Sequence, residues 1–192
     1  MKKYPILFRL AFAFAVVLSG CSKPKETVPV SDAIITQPYQ ELDSTAMYYY
    51  NGSKVQWKLE SKHMKKILSD TGHIIASPVR LTVYDSLGKE STKVLSDSGT
   101  TDGPMKGICV WGNVYVKAQN GIRVTSNRLV WDLNKHLVTS NDYVQLKTKN
   151  NDILQGKGME AAEDFSWWKF LHNVSGRFPN FKERAEKGEE FQ

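Results

Sequence analysis

The side chains best suited to hold a metal or attack a substrate are the histidines and cysteines, and they are few. His63, His73, His136 and His172 are scattered singly, and none forms a close ligand pair. A zinc or other transition-metal site needs several such ligands brought together, so they read as solvated or strand-packed imidazoles, and no metal is expected. Neither a Gly-x-Ser-x-Gly elbow, a His-Glu-x-x-His helix signature nor a Cys-x-x-Cys pair occurs. Gly156-Lys157-Gly158-Met159-Glu160-Ala161 fits a loose dinucleotide fingerprint but lies too near the C-terminus to open a βαβ unit. Carboxylates are abundant, yet none stands out as a catalytic pair. The expectation is a protein without enzymatic activity and without a cofactor.

One cysteine does carry chemistry. Lys2, Lys3 and Arg9 precede an apolar run from Leu10 to Leu18, followed by Ser19-Gly20-Cys21. The run is far short of the roughly 20 residues that span a bilayer, so residues 1–20 read as a signal peptide. Leu18-Ser19-Gly20-Cys21 fits the bacterial lipobox, in which cleavage leaves Cys21 as a lipidated N-terminus. Acyl chains contribute about 0.8 kcal/mol per buried methylene, and more than one chain makes a stable anchor. Removing Lys2, Lys3 and Arg9 lowers the formal charge from +6 to +3, so the basicity is partly a targeting feature and gives little support for a nucleic-acid partner. With Cys21 consumed, Cys109 has no partner for a disulfide. Its neighbours Ile108 and Val110 mark it as a buried small hydrophobe.

The rest of the chain must supply a scaffold. Residues 22–47 contain Pro24, Pro29 and Pro38 without sustained periodicity, so 21–47 reads as a lipidated cysteine with a flexible tether. The body is expected over 48–178, with a charged tail over 179–192. Within the body, Val94-Leu95-Ser96-Asp97, Val124-Thr125-Ser126-Asn127 and Leu154-Gln155-Gly156-Lys157 recur thirty residues apart. Val114/Val144, Val116/Leu146 and Leu129/Met159 keep the same offset. Between them run segments that alternate apolar and polar with period 2, as half-buried strands do. Such a period means stacked two-strand units that bury their apolar faces against neighbours. Turns are expected at Asp85-Ser86-Leu87-Gly88, Asp102-Gly103-Pro104, Asn120-Gly121, Asp132-Leu133-Asn134 and Asn150-Asn151-Asp152. Eight long strands result, with no core helix. Ser77-Pro78, Gly112-Asn113 and Asn141-Asp142 interrupt strands at matching places, which predicts a corner folding the chain into two facing sheets. The fold class is therefore all-β, an antiparallel jelly roll or V-shaped pair of twisted sheets with an apolar interior. Phe165 to Leu171 fits either an aromatic edge strand or a short amphipathic helix, with the strand preferred.

These features together resemble the LptC family of lipopolysaccharide export proteins, in the OstA-like β-jelly-roll group. The resemblance rests on Trp57-Lys58-Leu59-Glu60-Ser61, Ile74 to Asp85, Gly121 to Asp132, Val138 to Leu146 and Leu154-Gln155-Gly156-Lys157-Gly158-Met159. It implies a periplasmic carrier that accepts lipopolysaccharide from an inner-membrane ABC transporter complex and passes it to an OstA-like bridge protein through edge strands. Such a carrier would hold the lipid A acyl chains against Trp57, Leu59, Leu81, Val83, Val114, Val116, Val124, Leu129, Trp131, Val144 and Leu146. A dry core is the alternative for any one of them, and alternation alone leaves inside and outside unassigned because a bulge flips the face. Lys58, Arg80, Lys93, Lys117, Arg123 and Lys147 read first as a solvated outer face and second as rim contacts for lipid phosphates. Family likeness favours the inner membrane for the anchor, whereas Ser22 after the cysteine allows the outer one. A lipid-anchored adaptor that docks envelope proteins by its strand edges, carrying no lipid, remains the competing reading.

Overall fold

The computed structural model describes residues 38–69, 72–101, 107–179 and 181–187. The signal peptide, Cys21, most of the tether, the Asp102-Gly103-Pro104 turn and the end of the tail lie outside the described residues. The strands are β1 (Tyr39–Asn51), β2 (Lys54–Ile67), β3 (Ile74–Ser77), β4 (Val79–Tyr84), β5 (Glu90–Ser96) and β6 (Ser98–Thr101). They continue as β7 (Gly107–Ala118), β8 (Arg123–Asp132), β9 (Leu137–Lys147), β10 (Ile153–Ala162) and β11 (Trp168–Arg177), followed by a short helix α1 (Phe181–Glu186). All pairings are antiparallel, and the fold is all-β.

β3 and β4 are one ribbon broken at Ser77-Pro78, and β5 and β6 are one ribbon broken at Asp97. The described residues thus form a meander of nine bent ribbons in a single sheet, each pairing with the next. β2 meets β3 with its second half and β4 with its first, and β7 divides itself between β6 and β5 in the same way. The halves form two facing walls. Wall A holds β3, β6 and the segments at 107–111, 128–132, 137–140 and 159–162. Wall B holds β4, β5 and the segments at 114–118, 123–126, 143–147 and 153–157.

At the corner the strand ladder is interrupted, and polar side chains take over. Ser61, Ser96 and Ser126 each donate a hydroxyl to the carbonyl two residues on, at 2.8, 3.0 and 3.2 Å. Ser77 donates its backbone N–H to Ser61 Oγ (3.0 Å) and its hydroxyl to the Asp97 carbonyl (2.9 Å). Asp97 N–H reaches the Gly112 carbonyl at 2.9 Å, and Asn113 Nδ2 donates to the Asp97 carboxylate at 2.7 Å. Ser140 Oγ donates to the Arg128 carbonyl (2.7 Å) and accepts from Asp142 N–H (3.1 Å). Gly112 has φ +76°, and a Cβ there would stand 2.7 Å from the Asp97 carboxylate, so both conformation and space require glycine.

Three expectations need correction. β1 occupies 39–51, so the supposed tether becomes strand nine residues before position 48. Its signal was hidden because Ser44, at φ +48°, shifts the phase: inward-facing Leu42 and Met47 are separated by an odd number of positions. The ribbons number nine rather than eight for the same reason. Cys109 is half-buried on the outer face, where Arg128 Nε donates to its Sγ at 3.2 Å. The strand preferred over a helix for Phe165–Leu171 is present from Trp168 onward as the start of β11, and 165–167 is loop.

The β8–β9 turn shows how one carboxylate organises a hairpin. Asp132 Oδ1 accepts from the N–H groups of Asn134 and Lys135, each at 3.1 Å, and Oδ2 meets Lys135 Nζ at 3.1 Å. The Lys135 hydrogen bond is the main reason its carboxyl lies below the usual carboxylate range. A depressed folded-state pKa stabilises above the unfolded value, about 3.9, and loses that contribution as pH falls through the folded value. Asp132→Asn should therefore be less stable than wild type near neutrality, and the gap should close in acid, as followed by thermal melts across pH. At the corner, Ser140→Ala removes the acceptor of Asp142 N–H and, beside Ser126, the shorter of two hydroxyl bonds to the Arg128 carbonyl. It should lose about 1–3 kcal/mol by urea unfolding, whereas Ser175→Ala on exposed β11 should stay within about 0.5 kcal/mol.

Candidate functional site

Register, not sequence distance, assembles the interior. On wall B, Met47, Leu59, Leu81, Val94, Val116, Val124, Leu146 and Leu154 are successive cross-strand partners, one from each of eight ribbons. The facing row on wall A runs Ile74, Thr101, Ile108, Trp131, Val138, Ala161 and Trp168. All eleven residues expected to face lipid are buried in the interior between the walls. Trp57, Leu59, Leu81, Val83, Val114, Val116, Val124, Val144 and Leu146 belong to wall B, and Leu129 and Trp131 to wall A. Sequence reasoning thus saw one wall well. It missed most of the other, including Ile108, Val110 and Val138, which lie beyond the strand breaks where the alternation restarts.

The interior is closed. Between Leu81, Val94, Ile108, Leu129, Trp131 and Val138 the free volume is about 30 Å³, and a second gap near Leu59 and Ile74 is about 10 Å³. A single water needs roughly 10–15 Å³ on this measure, so no acyl chain fits until the walls part. The apolar interior expected between the two sheets is present and packed, as in the dry-core alternative.

A loop over 163–167, of which 165–167 was expected to be edge strand, closes the side opposite the corner. Between Ala162 and Trp168 the chain leaves wall A, reaches wall B and returns to wall A as a strap. On wall A, the Glu163 carboxylate accepts from Trp131 Nε1 at 3.2 Å and meets His136 Nδ1 at 2.9 Å. On wall B, Thr92 Oγ1 donates to the Glu163 carbonyl at 3.2 Å, and Asn120 Nδ2 donates to the Phe165 carbonyl at 2.9 Å. Phe165 points inward, 2% exposed, and fills space against both walls. Its φ of +56° is a left-handed conformation that a bulky residue adopts only when its surroundings impose it. The one advance signal was Asp164-Phe165-Ser166, a turn in which Asp164 Oδ1 caps Ser166 N–H at 2.9 Å.

Two buried donors lack partners among the described residues: Trp57 Nε1, whose ring stacks on Tyr49 at 5.2 Å, and Thr101 Oγ1. Each such group costs about 1–3 kcal/mol when left unmet. Trp57 belongs to wall B and Thr101 to wall A, on the strand segments that lead away from the corner.

A family model described as lipopolysaccharide-assembly, LptC-related, matches residues 8–178. The chain belongs to the LptC-related family. Among solved structures, the chain is similar to LptH, the LptA-homologous periplasmic component of the conserved lipopolysaccharide transport device from Pseudomonas aeruginosa. That alignment covers 74% of this chain and 95% of LptH, with 10% identity and a TM-score of 0.48. No curated protein matches the chain.

In this LptC-related protein no cluster of three or more His, Cys, Asp or Glu side chains among the described residues is arranged to hold a metal ion. No described helix is long and apolar enough to cross a membrane. The chemistry on offer is shape and apolar surface. If Phe165 is a structural plug, Phe165→Ala should lose about 3–5 kcal/mol in urea unfolding. Phe165→Leu should retain most of that stability.

Proposed function

We propose that this chain is a periplasmic, lipid-anchored carrier that takes lipopolysaccharide acyl chains between its two walls and relays them toward the outer membrane. The observation carrying this reading is the unbroken apolar row from Met47 to Leu154, which crosses eight ribbons with both ends only half-buried. Acyl chains in water cost about 0.8 kcal/mol per methylene, so a carrier needs an apolar path that is continuous and open at its ends. Trp57, Leu59, Leu81, Val83, Val114, Val116, Val124, Leu129, Trp131, Val144 and Leu146 line the path. Loading parts the walls by releasing the strap, and the chains take the space that Phe165 fills. The unmet donors Trp57 Nε1 and Thr101 Oγ1 suit the ester and amide carbonyls that join acyl chains to a sugar headgroup.

Among the described residues β1 and β11 each have one side unpaired, giving backbone groups for β-strand addition. An inner-membrane ABC transporter complex on one side and an OstA-like bridge protein on the other are the partners such edges suit. Cys21 supplies the acylated anchor, in the inner membrane by family analogy or in the outer one by the Ser22 signal. The competing reading, an adaptor that docks proteins by its edges and holds no lipid, is favoured by the packed interior and its cavity of about 30 Å³.

A photo-crosslinking amino acid at Met47 or Leu154 separates the two. These positions are half-buried, whereas Val116 and Leu146 are sealed and would be overpacked by a bulky probe. Labelling of lipopolysaccharide in intact cells, stronger in the Phe165→Leu background, is the result expected of a carrier. Crosslinks to protein alone at both positions would establish the adaptor instead.

A further inference from the structure

The register that makes the inner apolar row also makes an outer cationic one. Lys93, Lys117, Arg123 and Lys147 are successive cross-strand partners on β5, β7, β8 and β9. The row continues through Ile153 to Arg177 on β11. Neighbouring strands lie about 4.8 Å apart, so the first four charges form a line roughly 14 Å long. Like charges directly opposite one another are destabilising. Elsewhere this sheet avoids the problem: Lys65 faces Glu41 at 2.9 Å, and Lys169 faces Glu160 at 2.7 Å. Within the row only Lys93 has an acid, Glu90 at 2.7 Å, and Lys117, Arg123 and Lys147 have no carboxylate partner among the described residues.

The row's position gives it a use. It runs across the strands, parallel to the apolar path, and along the outer rim of wall B. Lys93 adjoins Thr92, and Lys117 and Arg123 flank the Asn120-Gly121 hairpin; Thr92 and Asn120 are the wall-B residues that hold the strap. A lipid whose chains enter on the strap side would leave its headgroup at this rim. Ammonium and guanidinium groups in line suit phosphate, through charge-assisted hydrogen bonds with several oxygens.

We propose that Lys93, Lys117, Arg123 and Lys147 form a rail for the phosphate groups of the carried lipid's headgroup, making the carrier selective for phosphorylated glycolipid. The inference rests on the carrier reading and adds a headgroup site to it. Successive cations one strand apart would let a phosphate move along the rim from one partner to the next while its chains move along the interior.

The test titrates the full chain, with a photo-crosslinker at Leu154, against purified lipid A and its dephosphorylated form. Wild type should reach half-maximal labelling with lipid A at a concentration at least about tenfold lower than with the dephosphorylated lipid. Lys117→Gln/Arg123→Gln/Lys147→Gln should lose that preference while melting at the same or a higher temperature, since it removes only like charges. Lys117→Arg/Lys147→Arg should keep the preference, and raising salt toward 1 M, where screening acts within about 3 Å, should shrink it. If the triple variant discriminates like wild type, or wild type takes both lipids equally, the rail is refuted and the carrier stands. Should neither lipid label any variant, carrier and rail fall together.

Discussion

Folding one winding sheet back on itself breaks the hydrogen-bond ladder of every ribbon along one line, and each break leaves N–H and C=O groups without strand partners. Unmet backbone groups in a buried place cost as much as lost hydrogen bonds. Ser61, Ser77, Ser96, Ser126 and Ser140 answer that cost at the corner, bonding carbonyls and amides that the ladder leaves behind, while Asn113 holds the Asp97 carboxylate. Everything else follows from this seam. With the corner fixed, each half-strand has one face turned inward, and the two walls have no choice but to meet.

The same constraint sets the chemistry of both faces. Because every ribbon bends at the same level, residues at equal distance from the corner fall into cross-strand rows. Val94, Val116, Val124 and Leu146 form one row inside, and the adjoining Lys93, Lys117, Arg123 and Lys147 form another outside. A single-residue slip on any ribbon would put a cation into the interior and an aliphatic side chain into water, so register is strongly specified. The inner row makes the sheet cohere, and the outer one adds repulsion that burial must overcome.

Much of this was legible in the chain. The thirty-residue period is one ascending and one descending ribbon, which is why Val94, Val124 and Leu154 share a row, and why Ser96 and Ser126 recur at the corner. The breaks at Ser77-Pro78, Gly112-Asn113 and Asn141-Asp142 announced the bend, since proline, glycine and asparagine mark places where a ladder stops. Three things were hidden, each for a physical reason. β1 is an edge strand with exposed Tyr39, Tyr48 and Tyr50, so it lacks the alternation of a covered strand. Wall A restarts its alternation after each break, sometimes with its phase reversed, as between Leu59 and Met64 or Val124 and Leu129. The strap is held by side chains far away in sequence, His136, Thr92 and Asn120, and no local pattern points to them.

A packed interior and a carrying role are compatible on energetic grounds. An empty trough with both apolar rows exposed would gain by closing, at about 25 cal/mol per Å² removed from water, and would otherwise attract other apolar surfaces. Closure is thus the expected resting state of any such path, and Phe165 supplies the hydrocarbon that the empty interior lacks. An acyl chain of about a dozen methylenes brings on the order of 10 kcal/mol of transfer free energy, comparable to the whole stability of an ordinary domain. Its contacts with each wall replace those that the walls lose with each other, so the net cost of opening falls mainly on the strap. That strap is held by a handful of hydrogen bonds and by one ring in a strained backbone conformation, the part of the fold best suited to yield first.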